Sequence, residues 1–107
     1  MKKLLLLGVL LGTAAQVQAY DITFDNQTDE TIHVSIIYKS AFCLNDDSDD
    51  VAPHTKFTWD AGWCSGRMVV KYPNDKNPFN QHDASDVHPT YKNFKVWRDT
   101  NGRYHFE

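Results

Sequence analysis

The sequence predicts an all-β domain, a small antiparallel β-sandwich or partly open barrel of six to seven strands with one disulfide. Three observations lead there. Apolar and polar residues alternate with period two in several short runs, and from residue 20 onward no stretch keeps a 3.6-residue period for three helical turns. Turn-forming Asn, Asp, Gly and Pro clusters separate those runs. An Asn-Gly pair near the C-terminus marks a hairpin.

The chain opens with Lys2 and Lys3, an apolar run from Leu4 to Leu11 broken only by Gly8, and the small-x-small triplet Val17-Gln18-Ala19. That pattern reads as a cleaved secretory signal over 1–19, followed by one domain over 20–107. The apolar run is short for a bilayer span, no second one follows, and no cysteine sits at the cleavage point. We expect a secreted or periplasmic protein, most simply bacterial, with no stable membrane insertion.

The strands follow in order. In "YDITFD", Tyr20, Ile22 and Phe24 share a face, and "NQTDE" makes the next turn. "TIHVSIIYK" puts Ile32, Val34, Ile36 and Tyr38 on one face, with His33, Ser35 and Ile37 on the other. "KFTWD" turns Phe57 and Trp59 inward, and "RMVVKY" does the same with Met68, Val70 and Tyr72. The final run, "NFKVWRDTNGRYHFE", admits two hairpin registers. A two-residue loop at Asn101-Gly102 sets Trp97 opposite Phe106. A three-residue loop, Thr100-Asn101-Gly102, sets Asp99 against Arg103, Arg98 against Tyr104 and Val96 against Phe106. Only the second gathers Phe94, Val96, Tyr104 and Phe106 on one face, and a one-residue slip would reverse every side chain. Asp before the turn and Gly in the left-handed position suit that loop. Tyr91, Asn93, Lys95, Trp97 and His105 then share the outward face, where we expect another segment to cover Trp97.

Without the first nineteen residues, nine basic residues stand against fourteen acidic ones, a net charge of −5. An acidic chain with no basic stripe lacks the Lys and Arg that displace counterions from nucleic acid or anionic lipid. Cys43 and Cys64 are the two cysteines. An even number with no CxxC, in an oxidising compartment, reads as one disulfide. Trp63, beside Cys64, is expected to pack on that bridge.

Two stretches carry candidate site residues. "CLNDDSDD" holds Asp46, Asp47, Asp49 and Asp50. An EF-hand frame from Asn45 meets Asp50 where glycine is required and Lys56 where glutamate is required. A frame from Asp46 fails at Val51 and Phe57. An irregular calcium cage stays open, and the plainer reading is a solvated acidic loop. The second stretch, 73–90, "PNDKNPFNQHDASDVHPT", reads as one long loop, and such loops are disproportionately functional. It holds His82, Asp83, Asp86 and His88, which could bind zinc or copper if the chain turned at Ala84-Ser85.

Catalysis has little support in the sequence. GxSxG, HExxH and Gly-rich phosphate loops are absent, nothing assigns a base to Ser65, and the separation of carboxylates such as Asp60 and Asp86 is not readable. The expectation is therefore a monomeric binding module without a required cofactor. It would recognise a protein partner through the 73–90 loop and the hairpin face bearing Tyr91, Trp97 and His105, with Asp46–Asp50 as an acidic flank. The alternatives are an envelope zinc or copper protein using His82 and His88, and a small secreted hydrolase. The fourteen aromatics, all beyond residue 19, serve either recognition or core. Trp63, Trp97 and nearby tyrosines would also suit a sugar-stacking platform.

Overall fold

A computed structural model of the chain describes residues 19–39, 43, 45–73 and 81–107. Of the signal segment read over 1–19, residues 1–18 lie outside the described residues, as does the 74–80 part of the second stretch. Eight strands form: β1 (Asp21–Asn26), β2 (Ile32–Tyr38), β3 (Asp47–Val51), β4 (Thr55–Asp60), β5 (Gly66–Lys71), β6 (His82–Val87), β7 (Asn93–Arg98) and β8 (Tyr104–Phe106). They make two four-stranded sheets, ordered β4-β1-β7-β8 and β3-β2-β5-β6. The chain passes between the sheets after β1, β3, β4 and β6, and stays within a sheet at the β2–β3, β5–β6 and β7–β8 connections. The core is what those passages enclose.

Period-two alternation places that core. Tyr20, Ile22 and Phe24 from one sheet meet Ile32, Val34, Ile36, Met68 and Val70 from the other, all buried, with Trp59, Phe94, Val96 and Tyr104. The inner strands β1, β2, β5 and β7 thus keep an apolar face in and a more polar face out, as two stacked sheets require. The hairpin adopts the three-residue loop. Val96 faces Phe106 and Arg98 faces Tyr104, while Asp99 N–H donates to Arg103 C=O and Gly102 takes φ +81°. One pairing departs from the all-antiparallel expectation: β1 runs parallel to β7, with Phe24 opposite Phe94. Since β6 brings the chain back from the other sheet, the return need not be a hairpin.

There are eight strands rather than six or seven because the two stretches read as loops each contain one. The acidic run Asp47–Val51 is β3 and His82–Val87 is β6, and they form the two edges of the same sheet. Their composition hid them, since Asp is depleted in strands generally but suits edges, where it discourages pairing with another chain. The two segments are alike, "DSDDVAP" over 47–53 and "DASDVHP" over 83–89. Both anchor through a buried valine, Val51 and Val87. Their inward-leaning aspartates cap the polar ends of core aromatics. Tyr38 O–H donates to Asp47 (2.7 Å), Trp59 Nε1–H to Asp49 (2.7 Å) and Tyr72 O–H to Asp83 (2.6 Å). A buried Tyr or Trp needs such a partner, so the acidic stretches complete the core's polar rim.

Two further features hold the sheets in place. The fully buried Asn26 ends β1, where its amide donates to the Glu30, Val51 and Ala52 carbonyls and its oxygen accepts from Thr28 N–H and Oγ1–H. One side chain thereby ties β1, the following turn and the end of β3. Cys43–Cys64 closes as expected, with Cα atoms 5.8 Å apart. Trp63, however, does not pack on the bridge; it is 66 % exposed, because the chain turns at Gly62 (φ +60°) and sends the indole outward.

Candidate functional site

The residues expected on the outward face of the final hairpin meet others from β1 and β4 to form a continuous surface. Register aligns them in rows across the first sheet. Lys56, Asp25, Lys95 and Glu107 make one row, with Asp25 opposite both lysines and Lys95 exchanging backbone hydrogen bonds with Glu107. Their charges alternate in sign from strand to strand. Cross-strand opposites attract while keeping most of their hydration, and Lys95 Nζ lies 3.6 Å from Glu107. The next row holds Thr58, Thr23 and Asn93, in which Thr23 O–H donates to the Asn93 side-chain oxygen at 2.7 Å.

Beyond these, Tyr91 stands two residues before β7, 42 % exposed, its ring edge-on to Phe94 at 5.0 Å. His88 and Tyr91 exchange backbone hydrogen bonds and fix the turn that presents it. Two shallow hollows meet here and share Thr23 and Asn93. One, of about 660 Å³, is lined by Tyr91, Lys95, Asp25 and Lys56 among others; its neighbour, of about 720 Å³, by Tyr20, Asp21, Asp60 and Lys92 among others. The surface thus offers an aromatic ring, paired charges and side-chain amide and hydroxyl groups over a broad, open area. That chemistry suits recognition of another polar surface.

Trp97 and His105 lie at the far end of the same face. The rings stack at 5.4 Å, and Lys95 Nζ sits 5.3 Å from the indole centroid. Trp97 is half-buried, and among the described residues its ring contacts are with His105 and Lys95 of the same hairpin. His105 Nε2 also contacts Asp99 at 2.7 Å. That bond, with backbone N–H groups of Arg103 and Asn101, holds the Asp99 carboxyl at about 2, below the ordinary carboxylate range.

The structure separates the four residues considered for zinc or copper. β6 runs extended through Ala84-Ser85, where a shared ion would need a turn. At about 3.3 Å per residue, His82 and His88 are roughly 20 Å apart. Asp83 leans inward to Tyr72 and Asp86 points outward, while His88 contacts Thr90 Oγ1. The acidic run is dispersed in the same way. Asp46 accepts from Tyr38 N–H, Asp47 from Tyr38 O–H and Asp49 from Trp59, while Asp50 meets His33. Burial and then the Asp47 carboxylate push the Tyr38 phenol well up. Among the described residues, no three His, Cys, Asp or Glu side chains gather to hold a metal ion.

Thr23, Asp25 and Lys56 were not named as site residues from the sequence. Alternation in "YDITFD" places Thr23 and Asp25 outward, but the parallel neighbour β7 that makes them part of this surface has no local signal. No helix among the described residues is long and apolar enough to cross a membrane, and the disulfide is compatible with an extracellular location. No protein-family model, curated protein or solved structure matches this chain.

Proposed function

We propose that this is an exported, monomeric binding module that recognises a protein partner with the outward face of its first sheet. The observation that carries the reading is the exposed Tyr91 ring set against the alternating row Lys56–Asp25–Lys95–Glu107. Aromatic anchors beside paired charges supply contact area and register at protein interfaces. Trp97 and His105 extend the same face, so the hairpin half of the expected surface is retained. The 73–90 segment contributes through its last residues, which present Tyr91, and its His82-to-Val87 portion belongs to the other sheet.

The test is site-dependent capture from the compartment that receives the protein. Oxidised protein carrying a photo-crosslinker at Asn93 should trap one dominant species. Tyr91→Ala with Lys95→Glu should abolish the trapping, and Ile37→Ser on the other sheet should leave it intact. If the trapped species are the same with and without the Tyr91 and Lys95 changes, the face is not a recognition surface.

A further inference from the structure

The second sheet carries on its outer face an arrangement that the binding reading leaves unused. His33 on β2 lies opposite Asp50 on β3, and Ser35 lies opposite Ser48. His33 Nδ1 is 2.7 Å from Asp50 Oδ1, and His33 Nε2 is 3.1 Å from Ser48 Oγ and 3.4 Å from Ser35 Oγ. A carboxylate only accepts, so Nδ1 carries a proton toward Asp50, and in the tautomer this selects the Nε2 lone pair faces the Ser48 hydroxyl. This is the hydrogen-bonded order of a nucleophile, a base and a group that orients the base.

Register supplies a further donor. Lys39 N–H donates to Ser65 C=O at 3.0 Å, continuing the β2–β5 ladder. Successive residues direct their N–H groups to alternate sides, so Ser35 and His33 point theirs toward β5. Their β3 partners Ser48 and Asp50 then point theirs away from β2, to the open edge of the sheet. The Ser48 N–H is therefore unpaired by any described strand, beside its own hydroxyl, where an oxyanion forming on attack would need a donor. The His33 side chain is 42 % exposed, so the reacting edge is open to solvent and substrate. Across the sheet, Ser48, Ser35, Val69 and Ala84 align as a row of small residues between larger neighbours such as His33 and Arg67. That row leaves space beside Ser48 for a short acyl group to lie along the sheet.

We propose that Ser48, His33 and Asp50 form a hydrolytic site for short-chain carboxylic esters, with Ser48 and His33 as catalytic residues and Asp50 as a positioning residue. Ser48 Oγ bonds to the ester carbonyl carbon as its proton passes to His33 Nε2. The C–O bond to the alcohol breaks, and the leaving oxygen takes that proton. Water then attacks the acyl-serine, giving a proton to His33, and the acid departs as Ser48 Oγ recovers it. Water is the only co-reactant. The site is independent of the first-sheet face and departs from the sequence-based expectation, which considered Ser65 and assigned it no base. The base becomes visible only when β3 pairs with β2.

The experiment treats the oxidised protein with a fluorophosphonate probe and maps the adduct by mass spectrometry, with p-nitrophenyl acetate hydrolysis measured in parallel. One adduct per chain, on Ser48, is expected. Ser48→Ala and His33→Ala should each abolish it and lower hydrolysis at least about tenfold, and Ser35→Ala should do neither. Asp50→Asn should lower kcat with KM unchanged and move the His33 proton from Nδ1 to Nε2 in nitrogen-15 spectra. No adduct, an adduct on Ser35, Ser65 or Tyr91, or hydrolysis unchanged in Ser48→Ala would overturn the proposal. All three residues lie on an outward face, and an unaltered amide spectrum in each variant separates loss of chemistry from loss of fold.

Discussion

Replacing Asn26 by alanine should cost this small domain a large share of its stability. The side chain is fully buried, and its five hydrogen bonds reach Glu30, Val51, Ala52 and both donors of Thr28. Three of them are buried along with their partners: those to Val51 C=O, Thr28 N–H and Thr28 Oγ1–H. Alanine leaves the Val51 carbonyl and the Thr28 amide without those partners in a site the side chain had filled. At about 1–3 kcal/mol for each of these two stranded buried groups, the loss is about 2–6 kcal/mol. A domain of this size holds about 4–13 kcal/mol in total, at 0.05–0.15 kcal/mol per residue. Urea denaturation followed by tryptophan fluorescence, with the disulfide intact, should therefore show the midpoint falling by at least about 15 % at unchanged slope. Thr28→Ala removes only a hydroxyl that also bonds Glu30 C=O, and should cost about 1 kcal/mol. Asn26→Asp keeps the acceptor for Thr28 but turns a carboxylate on three carbonyls, so it should exceed the alanine effect at neutral pH. A loss below about 1 kcal/mol for Asn26→Ala would refute the view that this residue ties the two sheets.

Other consequences can be checked in the same way. A Cβ on Gly66 would lie 2.4 Å from the Ile37 carbonyl oxygen, and backbone cannot swing aside as a side chain can, so Gly66→Ala should lower the urea midpoint at least as far as Asn26→Ala. Reducing Cys43–Cys64, which spans 21 positions, should cost about 3 kcal/mol on the chain-entropy model, measured as paired urea transitions with and without reductant. Trp63→Ala should change stability by less than about 0.5 kcal/mol, since the indole is largely in solvent; a loss of 2 kcal/mol in thermal unfolding would put it back against the disulfide. Asp99 is held at about 2 against an ordinary 3.8. Its contribution to stability is thus fully present above the ordinary value and is lost as pH falls through the folded one. Carbon-13 titration should find the Asp99 midpoint near 2 in the folded protein, and His105→Ala should raise it toward the ordinary range.

What the sequence determined by itself was local. Alternation placed Ile22, Phe24, Ile32, Val34, Ile36, Met68 and Val70 in the core, because a strand's side chains obey period two whatever lies beside it. The hairpin register was readable because Asp99, Gly102 and four apolar residues agreed on one loop, and a slip would have exposed that face. The disulfide followed from there being two cysteines. Tertiary structure decided what depends on neighbours distant in the chain. Residues 47–51 and 82–87 carry too many aspartates to read as strands, and become strands because β2 and β5 offer edges and Tyr38, Trp59 and Tyr72 offer donors to their carboxylates. That same pairing draws His82 and His88 apart and brings Ser48 and Asp50 to His33. The parallel pairing of β1 with β7 turns Thr23 and Asp25 into neighbours of Asn93 and Lys95, about seventy positions away. No local pattern encodes such a partner. It is chosen by which two sheets bury their apolar faces together, a property of the whole chain.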